Sequence, residues 1–240
     1  MKLIVVGAGN IGLITALCFA NKGHRVYCTD IDQKKIDQLQ KSESYLYEPE
    51  LASLLKKSVS EGNISFSHKL SEVISETKII FIAVGTPNLA DGSIDLKAFE
   101  GCIQEINDKA SDPKTVIIKS TVAPNTNKKL SALYPKHNFI SSPEFLREGS
   151  AIYDCLHPDR IIIGSDFQQD LELFKNIYKE FNLTENVFIQ MNSVTAEMTK
   201  YASNIFLAAR ISLINEFSRM CEKTGADIEM LKQGLSRDHR

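Results

Sequence analysis

Leu3-Ile4-Val5-Val6 runs straight into Gly7-Ala8-Gly9-Asn10-Ile11-Gly12, and a helical pattern follows through Ala20. Few local patterns narrow the choice of fold as far. An unbroken apolar run predicts a parallel strand buried on both faces. Glycines spaced as GxGxxG between that strand and a helix predict a tight turn. Its backbone can approach a pyrophosphate, which the free amides of the helix start then face. Arg25–Thr29 reads as the second strand, and Asp30 closes it. Asp30 lies about twenty residues past the glycines, where a carboxylate suits adenosine ribose hydroxyls and repels a 2′-phosphate. Together these features favour NAD over NADP. Without a ligand, the same residues are a plain glycine turn between strand and helix.

The alternation continues. Ile64-Ser65-Phe66, Ile79–Val84, Thr115–Lys119, Phe139-Ile140, Ile161–Ile163 and Val187–Ile189 read as strands, with helical stretches between most of them. This order predicts an α/β domain, a Rossmann-like, doubly wound and mostly parallel sheet over residues 1–192. Several strands end in residues suited to a nucleotide. Gly85-Thr86 offers close backbone approach and a hydroxyl, and Thr121 offers another hydroxyl. Any one of these is an ordinary helix cap, but together they favour a crevice at the carboxyl edge. Lys35, near Asp30, is either a solvated charge or a cover for the adenosine.

From Val194 to Thr224 there is no glycine or proline, and apolar residues recur at helical spacing. Such a helix is too long to flank a sheet and reads as a spine opening a second domain over 193–240. Asn192 and Ser193 suit its N-cap, and Glu197 suits its positive end. Lys200 and Asn204, at i and i+4, share one face. On spacing alone they read as a solvated pair.

Composition narrows the class of function. A formal net charge of −2 points away from nucleic acid and membrane surfaces. No apolar run is long enough to span a bilayer. Cys18, Cys28, Cys102, Cys155 and Cys221 are scattered, without a CxxC pair. That pattern fits a reducing, cytoplasmic setting and neither a disulfide framework nor a zinc site.

The densest chemistry follows Phe139-Ile140. In Ser141-Ser142-Pro143-Glu144-Phe145-Leu146-Arg147-Glu148-Gly149, two carboxylates bracket a guanidinium. Beyond a strand's carboxyl end, paired carboxylates can position water, take up a proton or bind hydroxyls. The block reads equally well as a helix start with surface charges.

These motifs in combination resemble the nucleotide-sugar 6-dehydrogenases. The resemblance rests on Gly7–Gly12 with Asp30 and Lys35, Tyr47-Glu48-Pro49, Val84–Pro87, Ser120-Thr121-Val122 and Pro143–Gly149. Pro158-Asp159-Arg160, Thr195–Glu197 with Lys200-Tyr201 and Asn204, and Asp238 with Arg240 extend it. It implies oxidation of the C6 alcohol of a UDP-sugar, with UDP-glucose favoured, by two NAD in succession. Ile11, Asp30, Lys35, Thr86 and Thr121 are then expected to hold NAD. Residues Glu144, Phe145, Leu146, Arg147 and Glu148 are expected to wrap the sugar and its phosphates. Glu144 and Glu148 would manage water and protons, with Thr121 holding the water. Lys200 and Asn204 would bond sugar oxygens, and Arg240 would reach the substrate of a neighbouring subunit in a homodimer built on the helix 194–224. The family's nucleophilic cysteine sits in a Gly-Gly-x-Cys motif that none of the five cysteines matches. The chain is therefore expected to be a fragment that binds NAD without turning over. Sister enzymes acting on GDP-mannose or a UDP-N-acetylhexosamine, and a non-catalytic NAD-binding or dimerisation module, are the alternatives.

Overall fold

The computed structural model describes residues 1–238, so Arg240 lies outside the described residues. There are two compact units, Met1–Met198 and a second beginning at Thr199. The first contains β1 (Lys2–Val6), β2 (Arg25–Thr29), β3 (Ile64–Ser67), β4 (Ile79–Ile82), β5 (Thr115–Ile118), β6 (Asn138–Ser141), β7 (Ile161–Gly164) and β8 (Phe188–Met191). They form one sheet in the order β3-β2-β1-β4-β5-β6-β7-β8. Neighbours pair in parallel, except that β6 meets β7 antiparallel through the single pair Ser141–Gly164. The doubly wound reading holds, with one reversed junction.

The strands alternate between two apolar layers. Leu3 and Val5 face one layer with Leu13, Leu17 and Phe19 of α1 (Asn10–Asn21). Ile4 and Val6 face the other with Phe99 and Ile103 of α4 (Lys97–Lys109). Both faces of β1 are dry, which is why its sequence is continuously apolar rather than alternating. Chain order reverses between β1 and β4, so the sheet has its switch point at their carboxyl ends.

Four further helices belong to this unit: α2 (Gln33–Gln40), α3 (Leu51–Ser60), α5 (Thr126–Leu133) and α7 (Gln168–Ile177). The short α6 spans Ala151–Leu156. It starts after the acidic block, so Pro143–Gly149 is a loop and not a helix start. The long helix α8 spans Ser193–Thr224, and α9 spans Ile228–Ser236. As read from the sequence, Asn192 caps α8, its Oδ1 accepting from the Thr195 amide at 2.9 Å. No helix among the described residues is long and apolar enough to cross a membrane.

Candidate active site

The turn from β1 to α1 is shaped by what its glycines lack. Gly7 has φ +98°, and a Cβ there would lie 2.6 Å from the Ala83 carbonyl oxygen. A Cβ on Gly12 would lie 1.7 Å from the Gly7 oxygen. These two glycines are required by the fold itself. Gly9 differs, because a Cβ on it would meet nothing within 4 Å. No side chain caps the start of α1, and its first turn carries no acidic residue. Gly9, Asn10, Ile11 and Gly12 therefore form an open, positively polarised helix start, a suitable cradle for a pyrophosphate.

The carboxylate of Asp30 lies beside this turn. It accepts from the Ala8 amide at 2.8 Å and the Asp32 amide at 2.9 Å. Lys35 Nζ is 3.9 Å from it and 5.7 Å from the centre of the Tyr45 ring. The Tyr45 hydroxyl in turn donates to the Ala8 carbonyl. Asp30, Lys35 and Tyr45 thus gather along one side of the turn. The residues present fit NAD: a carboxylate for ribose hydroxyls, helix-start amides that no side chain caps for phosphate, and an open glycine between.

Across the switch point, Gly85 and Thr86 follow β4, and Thr121 follows β5. The Thr86 hydroxyl donates to the Thr121 carbonyl at 2.8 Å, and the Ser120 hydroxyl to the Val84 carbonyl at 2.7 Å. The two strand ends are therefore tied into one rim.

The acidic loop leaves β6 at the same edge. Ser141, Ser142 and Pro143 are buried, while Arg147 and Glu148 are exposed. Glu144 is half-buried, and its carboxylate accepts from the Leu146 amide at 2.7 Å. Phe145 lies under the Arg160 guanidinium, 4.0 Å from ring centre to Cζ. Leu146 packs against the core. The sequence sets Arg147 between Glu144 and Glu148, but its guanidinium forms a forked pair with Asp154 of α6 instead. The distances are 2.9 Å from Nε and 2.6 Å from Nη2. That pair holds the Asp154 carboxyl below the usual range.

Two buried carboxylates carry structure that the sequence reading did not assign. Glu48 accepts from the amides of Gly149 (2.8 Å) and Ala151 (2.7 Å), joining a distant loop to the end of the acidic one. By sequence, Glu197 suits the positive start of its own helix. Instead it accepts from the amides of Asn125 (2.7 Å) and Asn127 (2.9 Å) and the Ser141 hydroxyl (3.1 Å), capping α5. Burial raises its pKa, partly offset by those bonds. Asn125 itself has φ 74°, a conformation that asparagine tolerates. Glutamates at a motif Tyr-Glu-Pro and one turn into a helix carry no local sign of such distant partners.

Lys200 and Asn204 lie one turn apart on α8, in the second unit; Lys200 is buried and Asn204 exposed. All five cysteines are buried and free. Burial pushes the Cys28 thiol up, and the Cys102 thiol up to about 12. Neither has the exposed, electropositive surroundings of a reactive thiolate.

Comparison with known proteins agrees with this geometry. Residues 1–182 match the NAD binding domain of the UDP-glucose/GDP-mannose dehydrogenase family, and residues 194–240 match its central domain. UDP-glucose 6-dehydrogenase YwqF of Bacillus subtilis is 39% identical over 247 residues, covering all of this chain and 56% of that protein. The chain thus spans little more than half the length of such relatives. Among solved structures, GDP-mannose dehydrogenase of Pseudomonas aeruginosa superposes with TM-score 0.93 at 29% identity, over all of this chain and 57% of that one. A UDP-glucose dehydrogenase from Pyrobaculum islandicum gives 0.91 at 34% identity, over 99% of this chain and 56% of that one. A strand–turn–helix cradle with its acidic partner, an acid-bearing loop on the same rim and matches over nearly the whole length lead to one conclusion: the chain belongs to the UDP-glucose/GDP-mannose dehydrogenase family, the NAD-binding nucleotide-sugar dehydrogenases.

Proposed function

We propose that this chain forms the cofactor half of an enzyme that oxidises the C6 hydroxyl of UDP-glucose to the carboxylate, with two NAD reduced in succession. The observation that carries this reading is the acid-bearing loop Pro143–Gly149, set on the same sheet edge as the NAD turn. Relatives named UDP-glucose 6-dehydrogenase at 36–41% identity favour UDP-glucose as the substrate. NAD, when bound, accepts the electrons lost by the alcohol carbon. Glu144 and Glu148 position water and take up protons, with Thr121 holding the water. Phe145, Leu146 and Arg147 line the sugar nucleotide. Lys200 and Asn204 bond sugar oxygens, and the lysine cation stabilises negative charge developing on oxygen. Arg240 completes the substrate site of a second copy.

A thiol nucleophile is needed for the second oxidation, and the five buried cysteines do not supply it. The 240-residue chain by itself is therefore expected to bind NAD and give no steady NADH from UDP-glucose. Calorimetry with NAD, saturation-transfer NMR with UDP-glucose and GDP-mannose, and NADH absorbance test this. Lys200→Ala should weaken UDP-glucose binding roughly tenfold, the loss of one charged hydrogen bond, at unchanged NAD affinity. Steady NADH production would refute the thiol argument. Tighter binding of GDP-mannose, whose dehydrogenase shares the fold, would favour the sister activity.

The second unit supports a homodimer. Ile205, Phe206, Leu207, Ile211, Leu213 and Ile214 of α8 are each more than 40% exposed. So much apolar surface on one helix is a signature of association, and a second copy of the same helix is the proposed cover. Phe206→Asp combined with Ile214→Asp is expected to convert a dimer to a monomer in sedimentation equilibrium. A wild-type chain that sediments as a monomer would refute the proposal. Free, buried thiols fit a cytoplasmic setting.

A further inference from the structure

The segment Ser44–Glu48 touches both halves of the site. At one end, the Tyr45 hydroxyl donates to the carbonyl of Ala8, inside the glycine turn. At the other, the Glu48 carboxylate accepts from the amides of Gly149 and Ala151, where the acid-bearing loop enters α6. Between them, Tyr45 and Leu46 pack against the core, as does Leu146 of the loop. The path is fixed locally as well. The Ser44 hydroxyl donates to the Leu46 carbonyl at 2.9 Å and accepts from the Leu46 amide at 3.1 Å. Ser42 and Glu50, which bracket the segment, are both held at left-handed φ, 61° and 66°. Glu48 is buried. A buried carboxylate is costly unless it is hydrogen-bonded, and the two amides supply those bonds.

We infer that Glu48 is a positioning residue for the acid-bearing loop, and that the Tyr45–Glu48 strap makes the order of that loop respond to occupancy of the glycine turn. Two amides on one carboxylate fix where Gly149 and Ala151 sit, and hence where the chain from Glu144 to Glu148 is anchored. A ligand that settles against Gly9 and Asn10 orders the neighbouring Ala8 peptide, which Tyr45 holds from the other side. The bond to Tyr45 then passes that order to Glu48. Coupling of this kind requires only that the two ends share a rigid element whose fluctuations both bias. The role given to the loop rests on the proposed function, but the strap's contacts do not.

The test is amide hydrogen exchange at Gly149 and Ala151 in the 240-residue chain, with NAD as the probe and its affinity measured separately by calorimetry. In the wild type, saturating NAD is expected to slow exchange at both amides at least threefold. Glu48→Ala is expected to speed their exchange at least tenfold without NAD, and to abolish the NAD effect. Glu48→Gln, which keeps one accepting oxygen, should fall between. Tyr45→Phe should leave the basal exchange near wild type and remove the NAD effect. If Glu48→Ala does not fold, Glu48→Gln and the wild-type NAD response decide. Unchanged exchange in Glu48→Gln, or an NAD effect that survives in Tyr45→Phe, overturns the inference. Failure of NAD to bind at all would count against the nucleotide reading instead, and the basal exchange of the Glu48 variants would still judge the positioning role.

Discussion

Gly9→Ala is expected to leave the fold intact, with stability changed by no more than about 1 kcal/mol, because the poorer N-cap offsets the stiffer unfolded chain, while NAD affinity falls by an order of magnitude or more. Gly9 has φ −64°, a value alanine adopts freely, and the added methyl would meet no protein atom within 4 Å. The space it would enter is the space a pyrophosphate needs for close approach to the backbone. Gly12→Ala should behave in the opposite way. Its methyl would lie 1.7 Å from the Gly7 carbonyl oxygen, and backbone cannot yield as a flexible side chain can. A loss of roughly 4 kcal/mol or failure to fold is expected. Urea denaturation and NAD calorimetry on the two variants separate a glycine kept for the ligand from one kept for the chain. Undiminished NAD binding by Gly9→Ala would show that the cofactor does not approach the turn there.

Glu197→Ala should be among the most destabilising single changes in the first unit, costing about 3 kcal/mol. It leaves the amides of Asn125 and Asn127 and the Ser141 hydroxyl without their acceptor in a buried place. Glu197→Gln keeps one accepting oxygen and should cost about half as much. The pair also makes a pH prediction. Burial holds the Glu197 pKa above its ordinary value in the folded chain. The native state then binds the proton more tightly than the unfolded one. The stability this contributes is fully present below the unfolded carboxylate pKa and is lost as pH rises through the folded value. The difference in unfolding free energy between wild type and Glu197→Gln should therefore shrink as pH rises across that window and level off above it. A difference that grows with pH would mean that the hydrogen bonds outweigh burial.

Much of the first unit was legible because its signals are local. Runs such as Ile79–Ile82 and Thr115–Ile118 announce strands buried on both sides, and glycines at 7, 9 and 12 announce the turn. The reversal at β7 left no trace, since Ile161-Ile162-Ile163 reads the same in either direction. For the acidic block, the helix-start alternative was also not distinguishable by residue type from the loop that is present. Arg147 illustrates a subtler limit: neighbours in sequence, Glu144 and Glu148, drew attention from Asp154, the carboxylate its fork grips. Glu48 and Glu197 were illegible as clamps because their partners lie far along the chain. The amides held by Glu48 are 101 and 103 residues away, and those held by Glu197 are 72 and 70. Nothing short of the fold brings them together.

The single residue pair between β6 and β7 has a consequence for how the chain assembles. One backbone pairing is a weak guide to alignment, and a strand that slips by one residue turns its interior outward. At this junction the guide is steric. A Cβ on Gly164 would lie 2.8 Å from the Ser141 oxygen and 2.7 Å from the Ala196 Cβ. Sliding β7 one step either way would bring Ile163 or Ser165, each with a side chain, into a slot that holds none. The outer ribbon of β7 and β8 can thus seat in one position only, with selection exerted by exclusion rather than attraction.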